Sequence, residues 1–407
     1  MIFSVAWRNI WRSKLRSLIV ITAISLGLMG ILFILALSNG MVEQKIDASI
    51  SNEISHIQLH QPKFLQDNLP EYAISDARTK IDAIQQIEGV TAACGRLKMT
   101  AMASTAAKGA GVILNGIEPE QEKKVTSIHE CLMEGSYFEK KSKTPPILIS
   151  RKLATNLKAK PGSKIVLTLQ NIDNEIVYGL CRVTGIYKTA NSTFDEANVF
   201  VMKGDLAELI NFDQHKATEI AVLINHADLT NEITSVIQTE YPDLTVMSWK
   251  KMQPMLLSMR ALMEQYSYII LVVILIAMAF GIVNTMLMAI LERTREIGML
   301  MAVGMNKQRI FLMIMLETIF LSVTGAFIGM VLAYATISLT NQHGLNFASV
   351  AEGFEAYGYS ALVYPILYTR IYVGLTILVF ITAIISSIYP ARKALKLKPA
   401  EAIRADT

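Results

Sequence analysis

Residues 267–339 decide the fold: SYIILVVILIAMAFGIVNTMLMAILERTREIGMLMAVGMNKQRIFLMIMLETIFLSVTGAFIGMVLAYATISL. They read as an apolar helix, a charged elbow and a second apolar helix. Crossing the hydrocarbon core takes roughly 20 consecutive apolar residues, and each arm supplies them. In the elbow, 291–309, charge clusters at Glu292, Arg293, Arg295 and Glu296. Gly298 follows, and Ile297, Leu300, Met301 and Gly304 recur at helical spacing. This pattern predicts an amphipathic helix under the bilayer, with that apolar face seated in a cleft of a partner.

The four candidate spans are 18–40, 267–290, 310–339 and 371–389. The chain has 407 residues, 52% hydrophobic and 18% charged, against about 25% charged in soluble proteins. The mean hydropathy is +0.39. The apolar run of span one exceeds the 7–15 residues of a signal peptide, so it reads as an uncleaved anchor. Orientation follows from Lys and Arg in short flanks. The tail 1–17 carries Arg8, Arg12, Lys14 and Arg16 without an acid, and the elbow adds Arg293, Arg295, Lys307 and Arg309. The tail 390–407 adds Arg392, Lys393, Lys396, Lys398 and Arg404. The loop 340–370 has Arg370 against Glu352 and Glu355. Tails and elbow are expected in the cytoplasm, and 41–266 outside. The net charge of +4 is a topology signal. No basic run with interleaved aromatics points to nucleic acid. In residues 1–17, Phe3, Trp7, Ile10 and Trp11 oppose Arg8, Arg12 and Arg16, as in a helix lying in contact with lipid.

The outer segment is long enough for its own core, in two lobes. Residues 41–53 and 250–266 continue helically from their spans as stalks. Residues 55–60 alternate as a strand. Residues 74–88 read as a helix with Ser75 as N-cap and Gly89 as its stop. Strands fill 90–117. Residues 219–224, 228–240 and 244–247 repeat the order strand, helix, strand, with Ile233, Val236 and Ile237 inward. Two βαβ halves, 54–117 and 217–249, are therefore expected to form one lobe. A mainly-β lobe, 118–216, is inserted between them. It includes a helix near 150–158, a Pro161-Gly162 turn and a hairpin, 164–169 to 181–187. The fold class is an α-helical membrane protein with four transmembrane helices and a large α+β extracytoplasmic domain.

Catalytic signals are weak. No Gly-x-x-x-x-Gly-Lys-Ser/Thr loop occurs, so no ATP site of that kind is expected in this chain. His56 and His60 lie on a strand, where helical metal spacing does not apply. His129-Glu130-Cys131 lacks a fourth ligand at a familiar spacing. Cys94, Cys131 and Cys181 allow at most one intrachain disulfide or three free thiols. Glu317 lies roughly 10 Å into span three at 1.5 Å per residue. With no second intramembrane charge to pair it, it reads as a packing residue, as does Asn284 in span two.

The run ERTREIGMLMAVGMNKQRI, the following FLMIMLETIFLSVTG, the tail YPARKALKLKPAEAIR and the start AWRNIWRSKLRS together resemble the MacB/FtsX-like ABC permeases. The resemblance covers all four spans and the outer domain. It implies a bacterial inner-membrane subunit of the mechanotransmission type, closest to the LolC/LolE lipoprotein-releasing permeases. In that type the two lobes are named Porter (here the βαβ halves) and Sabre. The implied partners are a cytoplasmic LolD-like ABC ATPase, which uses ATP and Mg, and a second permease copy or paralogue. A periplasmic lipoprotein chaperone or adaptor and membrane lipids complete the set. Glu292, Arg293, Arg295, Glu296, Ile297, Gly298, Leu300, Met301 and Gly304 would then seat the ATPase. The alternatives are a MacB-type efflux permease and an FtsX-like regulator of a cell-wall hydrolase. The hairpin loop at 170–179 is too short for the chaperone-catching hook of LolC.

Overall fold

A computed structural model describes residues 2–12, 14–138 and 144–396. The end of the basic tail, with Lys398 and Arg404, lies outside the described residues. The chain forms two compact units. One comprises 1–41, 260–346 and 362–407; the other comprises 42–259 and 347–361.

The first unit holds the apolar helices. Four helices among the described residues are long and apolar enough to cross a membrane: Ser17–Ile54, Pro254–Glu292, Lys307–His343 and Thr369–Leu395. Where spans one and three cross, Ser25 Oγ donates to the Gly325 carbonyl at 2.8 Å. A Cβ on Gly329 would stand 2.8 Å from the Ser25 carbonyl oxygen. Gly325 and Gly329 are thus a Gly-x-x-x-Gly pair that admits the neighbouring backbone, as small residues do between membrane helices. The N-terminal helix Ile2–Arg12 lies along span three. Ala6 and Ile10 are buried, and the Phe3 and Trp7 rings stand 6.1 and 5.7 Å from Phe320. Its aromatic face is therefore shared between span three and the surroundings.

Among its described residues the second unit has ten strands: β1 (Ile57–His60), β2 (Val90–Ser104), β3 (Gly109–Ile117), β4 (Leu132–Gly135) and β5 (Pro146–Ser150), then β6 (Lys164–Gln170), β7 (Ile176–Tyr187), β8 (Asn198–Met202), β9 (Glu219–Ile224) and β10 (Thr245–Ser248). One lobe is an antiparallel sheet in the order β10-β1-β9-β2. Its two βαβ halves interleave, β9 lying between β1 and β2 and β1 between β9 and β10, in the split βαβ arrangement. Helices Ala77–Ile84 and Thr230–Glu240 pack Ile81, Ile84, Ile233 and Ile237 onto one face of this sheet.

The other lobe is a closed barrel. Pairing runs β2-β3-β8-β5-β7-β6 and returns from β6 to β2 through Met102↔Thr168. Leu97, Met99, Val112, Leu114, Ile147, Ile149, Ile165, Leu167, Val183 and Val199 belong to its buried core. Cys181 lies among them, and burial pushes its thiol up to about 12.

Several expectations need correction. The lobe boundary at 117 is wrong, because β2 pairs with β9 up to Arg96 and with β3 from Leu97 onward. Residues 97–117 therefore belong to the barrel. Ser75 is not the cap of its helix. Asp76 holds that position at φ +51°, with no side-chain cap bond. Val236 is 46% exposed, since Ile233 and Ile237 already fill the stripe facing the sheet. Of the two alternatives for the cysteines, the structure has Cys94, Cys131 and Cys181 as free thiols.

The glycine crossing makes a direct prediction. A methyl at Gly329 must push against backbone, whereas one at Gly30 meets nothing within 4 Å. Gly329→Ala is expected to cost about 1–3 kcal/mol by overpacking, and Gly30→Ala nothing of that size. Thermal melting of the two variants in detergent would show the contrast; equal melting temperatures would contradict the crossing.

Candidate functional site

The elbow helix spans Thr294–Ala302, after a break at Arg293 with φ −109° and ψ 17°. Its end is closed by two backbone bonds. Gly304 N–H donates to the Met301 carbonyl at 3.1 Å, and Met305 N–H to the Leu300 carbonyl at 3.0 Å. This Schellman closure needs a positive φ at its second-last residue. Gly304 supplies +92° without a Cβ to strain. Asn306 Oδ1 then accepts from Gln308 N–H at 3.0 Å and caps the helix of span three. Gly304, which the sequence places on a docking face, is thus the terminator that turns the chain back into the membrane.

A chain of charges ties the elbow down. Arg293 Nη1 donates to both oxygens of Glu317, at 3.0 and 3.3 Å. Arg293 Nε lies 3.5 Å from Glu296 Oε2. Arg12 Nη2 reaches Glu296 Oε1 at 2.8 Å. The N-terminal helix, the elbow and span three are therefore joined through Arg12, Glu296, Arg293 and Glu317. The expectation that Glu317 has no charged partner is wrong. Its partner comes from the elbow, 24 residues away in sequence, and folds back beside it. Glu317 is only 4% exposed. A buried carboxylate is tolerated there because a guanidinium meets it. The outer link, Arg12 to Glu296, is solvent-exposed and contributes little.

The apolar face of the elbow is used internally. Ile297 and Gly298 are buried. Ile297, Leu300 and Met301 pack into the core of the chain's own membrane helices. The face that turns outward carries Glu292, Arg295, Met299, Ala302 and Val303. Met299 is 54% exposed and Val303 85% exposed. Arg295, Met299 and Val303 stand four residues apart on one stripe. The sequence reading passed over Met299 and Val303. The available signal was that this short helix carries two apolar stripes where a surface helix carries one. Beside it opens a cleft of about 420 Å³, whose lining includes Asn9, Arg12, Glu296, Met299, Val303 and Glu317.

Asn284 does not pack inside the unit; it is exposed. Ile282, Met286 and Ala289 define the buried side of span two, and at 3.6 residues per turn Asn284 falls about 200° from Ile282. His60 is buried, with Nδ1 3.2 Å from the Thr218 carbonyl and Nε2 3.0 Å from Gln58 Oε1. Among the described residues no group of three or more His, Cys, Asp or Glu side chains could hold a metal ion.

Residues 17–240 match the MacB-like periplasmic core domain, and residues 268–399 match the FtsX-like permease C-terminal domain. The chain belongs to the MacB/FtsX-like permease family. It is an ABC transporter permease of the MacB/LolC type. The lipoprotein-releasing system transmembrane protein LolC of Neisseria meningitidis is 23% identical over 412 residues, 95% of this chain and 94% of that one. An uncharacterized ABC transporter permease of Methanocaldococcus jannaschii is 27% identical over 232 residues, and the match spans 55% of each chain. The macrolide export ATP-binding/permease protein MacB of Brucella abortus is 27% identical over 218 residues, 52% of this chain and 31% of that one. Among solved structures, the extracellular domain of the transporter YknZ aligns over 48% of this chain and 100% of its own, at 16% identity and a TM-score of 0.34.

The buried pair can be tested by a double-mutant cycle. Glu317→Leu alone leaves Arg293 without its buried partner and is expected to cost about 3–5 kcal/mol. Adding Arg293→Met should recover much of that loss, giving a coupling of more than about 1 kcal/mol in thermal or denaturant unfolding. Strict additivity of the two losses would contradict the pair.

Proposed function

We propose that this chain is the non-enzymatic membrane subunit of an ABC transporter whose separate ATPase docks on the elbow. ATP binding and hydrolysis there, with Mg, move the spans, and the stalks carry that motion to the two lobes outside. The observation that carries this reading is the elbow itself. It is a short helix cross-braced by buried charge to span three, and its opposite face is exposed. A push on Arg295, Met299 or Val303 is delivered through Arg293 to Glu317 and hence to a membrane helix. A loosely tethered loop would absorb the same push. The docking face is therefore Glu292, Arg295, Met299 and Val303. Ile297, Gly298, Leu300, Met301 and Gly304 shape the helix from behind.

The work done outside is release of lipoproteins from the inner membrane. The likeness to a LolC protein over nearly the full length of both chains supports this. The subunit would act with a second copy or a paralogue, its termini in the cytoplasm. One observation favours a second reading, efflux of the MacB kind with an adaptor. The turn joining β6 to β7 has only residues 171–175 between its strands, which leaves no hook to hold a chaperone.

Val303→Asp is expected to lower co-purification of the ATPase at least about tenfold while leaving the permease folded and inserted. Ile297→Asp should instead destabilise the permease, because it buries a charge without a partner. Undiminished ATPase binding by Val303→Asp would sink the docking face. Depletion of the chain followed by membrane fractionation decides the cargo. Lipoproteins retained in the inner membrane support release. Normal sorting with new drug sensitivity supports efflux.

A further inference from the structure

The first stalk has an unusual end. Helix Lys14–Ser49 widens into a π-turn, Ile50–Ile54. It stops at Ser55, whose φ of +60° lies in the region that residues with a Cβ seldom enter. π-turns are rare and concentrate at functional sites. Such backbone persists only where its surroundings over-determine it.

Here they do, from two sides. On the split βαβ side, Ser55 Oγ donates to the Val222 carbonyl of β9 at 2.7 Å. Arg96 Nη1 donates to the Glu53 carbonyl at 3.0 Å, and Trp249 N–H to the His56 carbonyl at 2.9 Å. On the barrel side, Ser127 N–H, in the connection between β3 and β4, donates to the Ser51 carbonyl at 2.9 Å. Asn191 Nδ2, just after β7, donates to Glu53 Oε1 at 2.6 Å. Glu53 is largely buried, and burial raises its carboxyl above the usual range. In such a setting a hydrogen bond is stronger than in water.

Arg96 stands where β2 passes from one lobe to the other: it pairs with Glu219 of β9, and the next residue, Leu97, pairs with Gly116 of the barrel. Four of the five N–H donors of its guanidinium are engaged. Nη2 and Nε meet the two oxygens of Glu122 at 2.7 and 3.1 Å, and Nη1 also meets Glu219 Oε1 at 2.7 Å. One buried side chain thus holds β2, β9, the helix Pro119–Val125 and the backbone of the stalk's last turn.

We infer that the π-turn Ile50–Ile54 is a stiff joint through which the first stalk moves both lobes as one body, with Arg96 and Asn191 as its positioning residues. This rests on the mechanical reading above. A hinge that let the lobes swing independently would leave the turn's backbone to solvent. Instead, both lobes grip the turn and the two residues that follow it, the barrel side at Ser51 and Glu53 and the split βαβ side at Glu53, Ser55 and His56.

The test isolates the barrel grip. Asn191 also caps the helix Ser192–Ala197 by accepting from Thr193 and Phe194. At alkaline pH, where both carboxyls are ionised, Asn191→Asp keeps that cap but sets an acceptor against Glu53, and the double variant Asn191→Asp/Glu53→Gln restores a donor–acceptor pair in reverse. Spin labels are placed on the full chain in lipid nanodiscs, with Cys131→Ser. One pair is Ala48→Cys with Asn156→Cys (stalk to barrel), the other Ala48→Cys with Gln86→Cys (stalk to split βαβ lobe). The unmodified joint should give one narrow distance for each pair. Asn191→Asp should at least double the width of the stalk-to-barrel distribution and leave the other pair unchanged; the double variant should narrow it again. An unchanged width in Asn191→Asp, or a width that the double variant does not restore, overturns the joint. These widths are read without ATP, so they decide the joint by themselves. Failure of the same chain to bind its ATPase would instead remove the mechanical reading.

Discussion

A guanidinium stays charged at any pH a protein meets, so an arginine taken out of water must be met by carboxylates. Both units of this chain are organised by that constraint. In the membrane unit, Arg293 faces Glu317 and Glu296. In the α/β unit, Arg96 faces Glu122 and Glu219. Burial opposes ionisation of Glu219, but the Lys98 ammonium and the Arg96 guanidinium outweigh it and hold the carboxyl at about 2. Each arginine sits where elements distant in sequence meet. Apolar packing would hold the same elements with less dependence on geometry. At Arg96 the two-pronged contact with Glu122 fixes both distance and orientation.

The fold was legible wherever one periodicity held over a whole element. The four apolar helices, the helix 230–240 and the hairpin from β6 to β7 follow from run length, from spacing and from turn residues such as Gly162. What failed shares one cause: a residue or element serving two neighbours. Strand β2 is buried without a break from Ala92 to Leu97, and nothing in VTAACGRLKMTAMAS marks where its partner changes from β9 to β3. The one hint was Arg96 itself, a charge at a buried position of a strand. The closure of the barrel through β6 and β2 was equally hidden, because register between distant strands leaves no local trace.

The elbow shows the same limit at the candidate site. Its position, helical character and charge were readable from ERTREIGMLMAVG. Its facing was not, because Ile297 and Val303 are both apolar and only the packing of spans two and three decides which is covered. Arg293 looked like a surface contact, and Glu317 looked like a lone buried acid. Each misreading came from considering one residue of a pair without the other. The Gly325 and Gly329 pair was visible as a spacing, yet its partner, Ser25, lies 300 residues away in sequence from the glycine whose carbonyl it meets.

The ring of strands in the barrel has a consequence for recognition. A sheet that closes on itself uses up the backbone donors and acceptors an open edge would offer. The closure of β6 on β2 leaves no place there for a peptide to add a strand, a common route by which proteins capture extended segments; β4, which among the described residues pairs only with β7, is the edge that remains. Whatever meets its wall must therefore read side chains. On the strand faces that look outward those are Met102, Val166, Ile176, Tyr178 and Leu180, all more than a third exposed. Selectivity in this lobe is a matter of surface chemistry on a rigid cylinder, free to diverge without disturbing the hydrogen bonds beneath it.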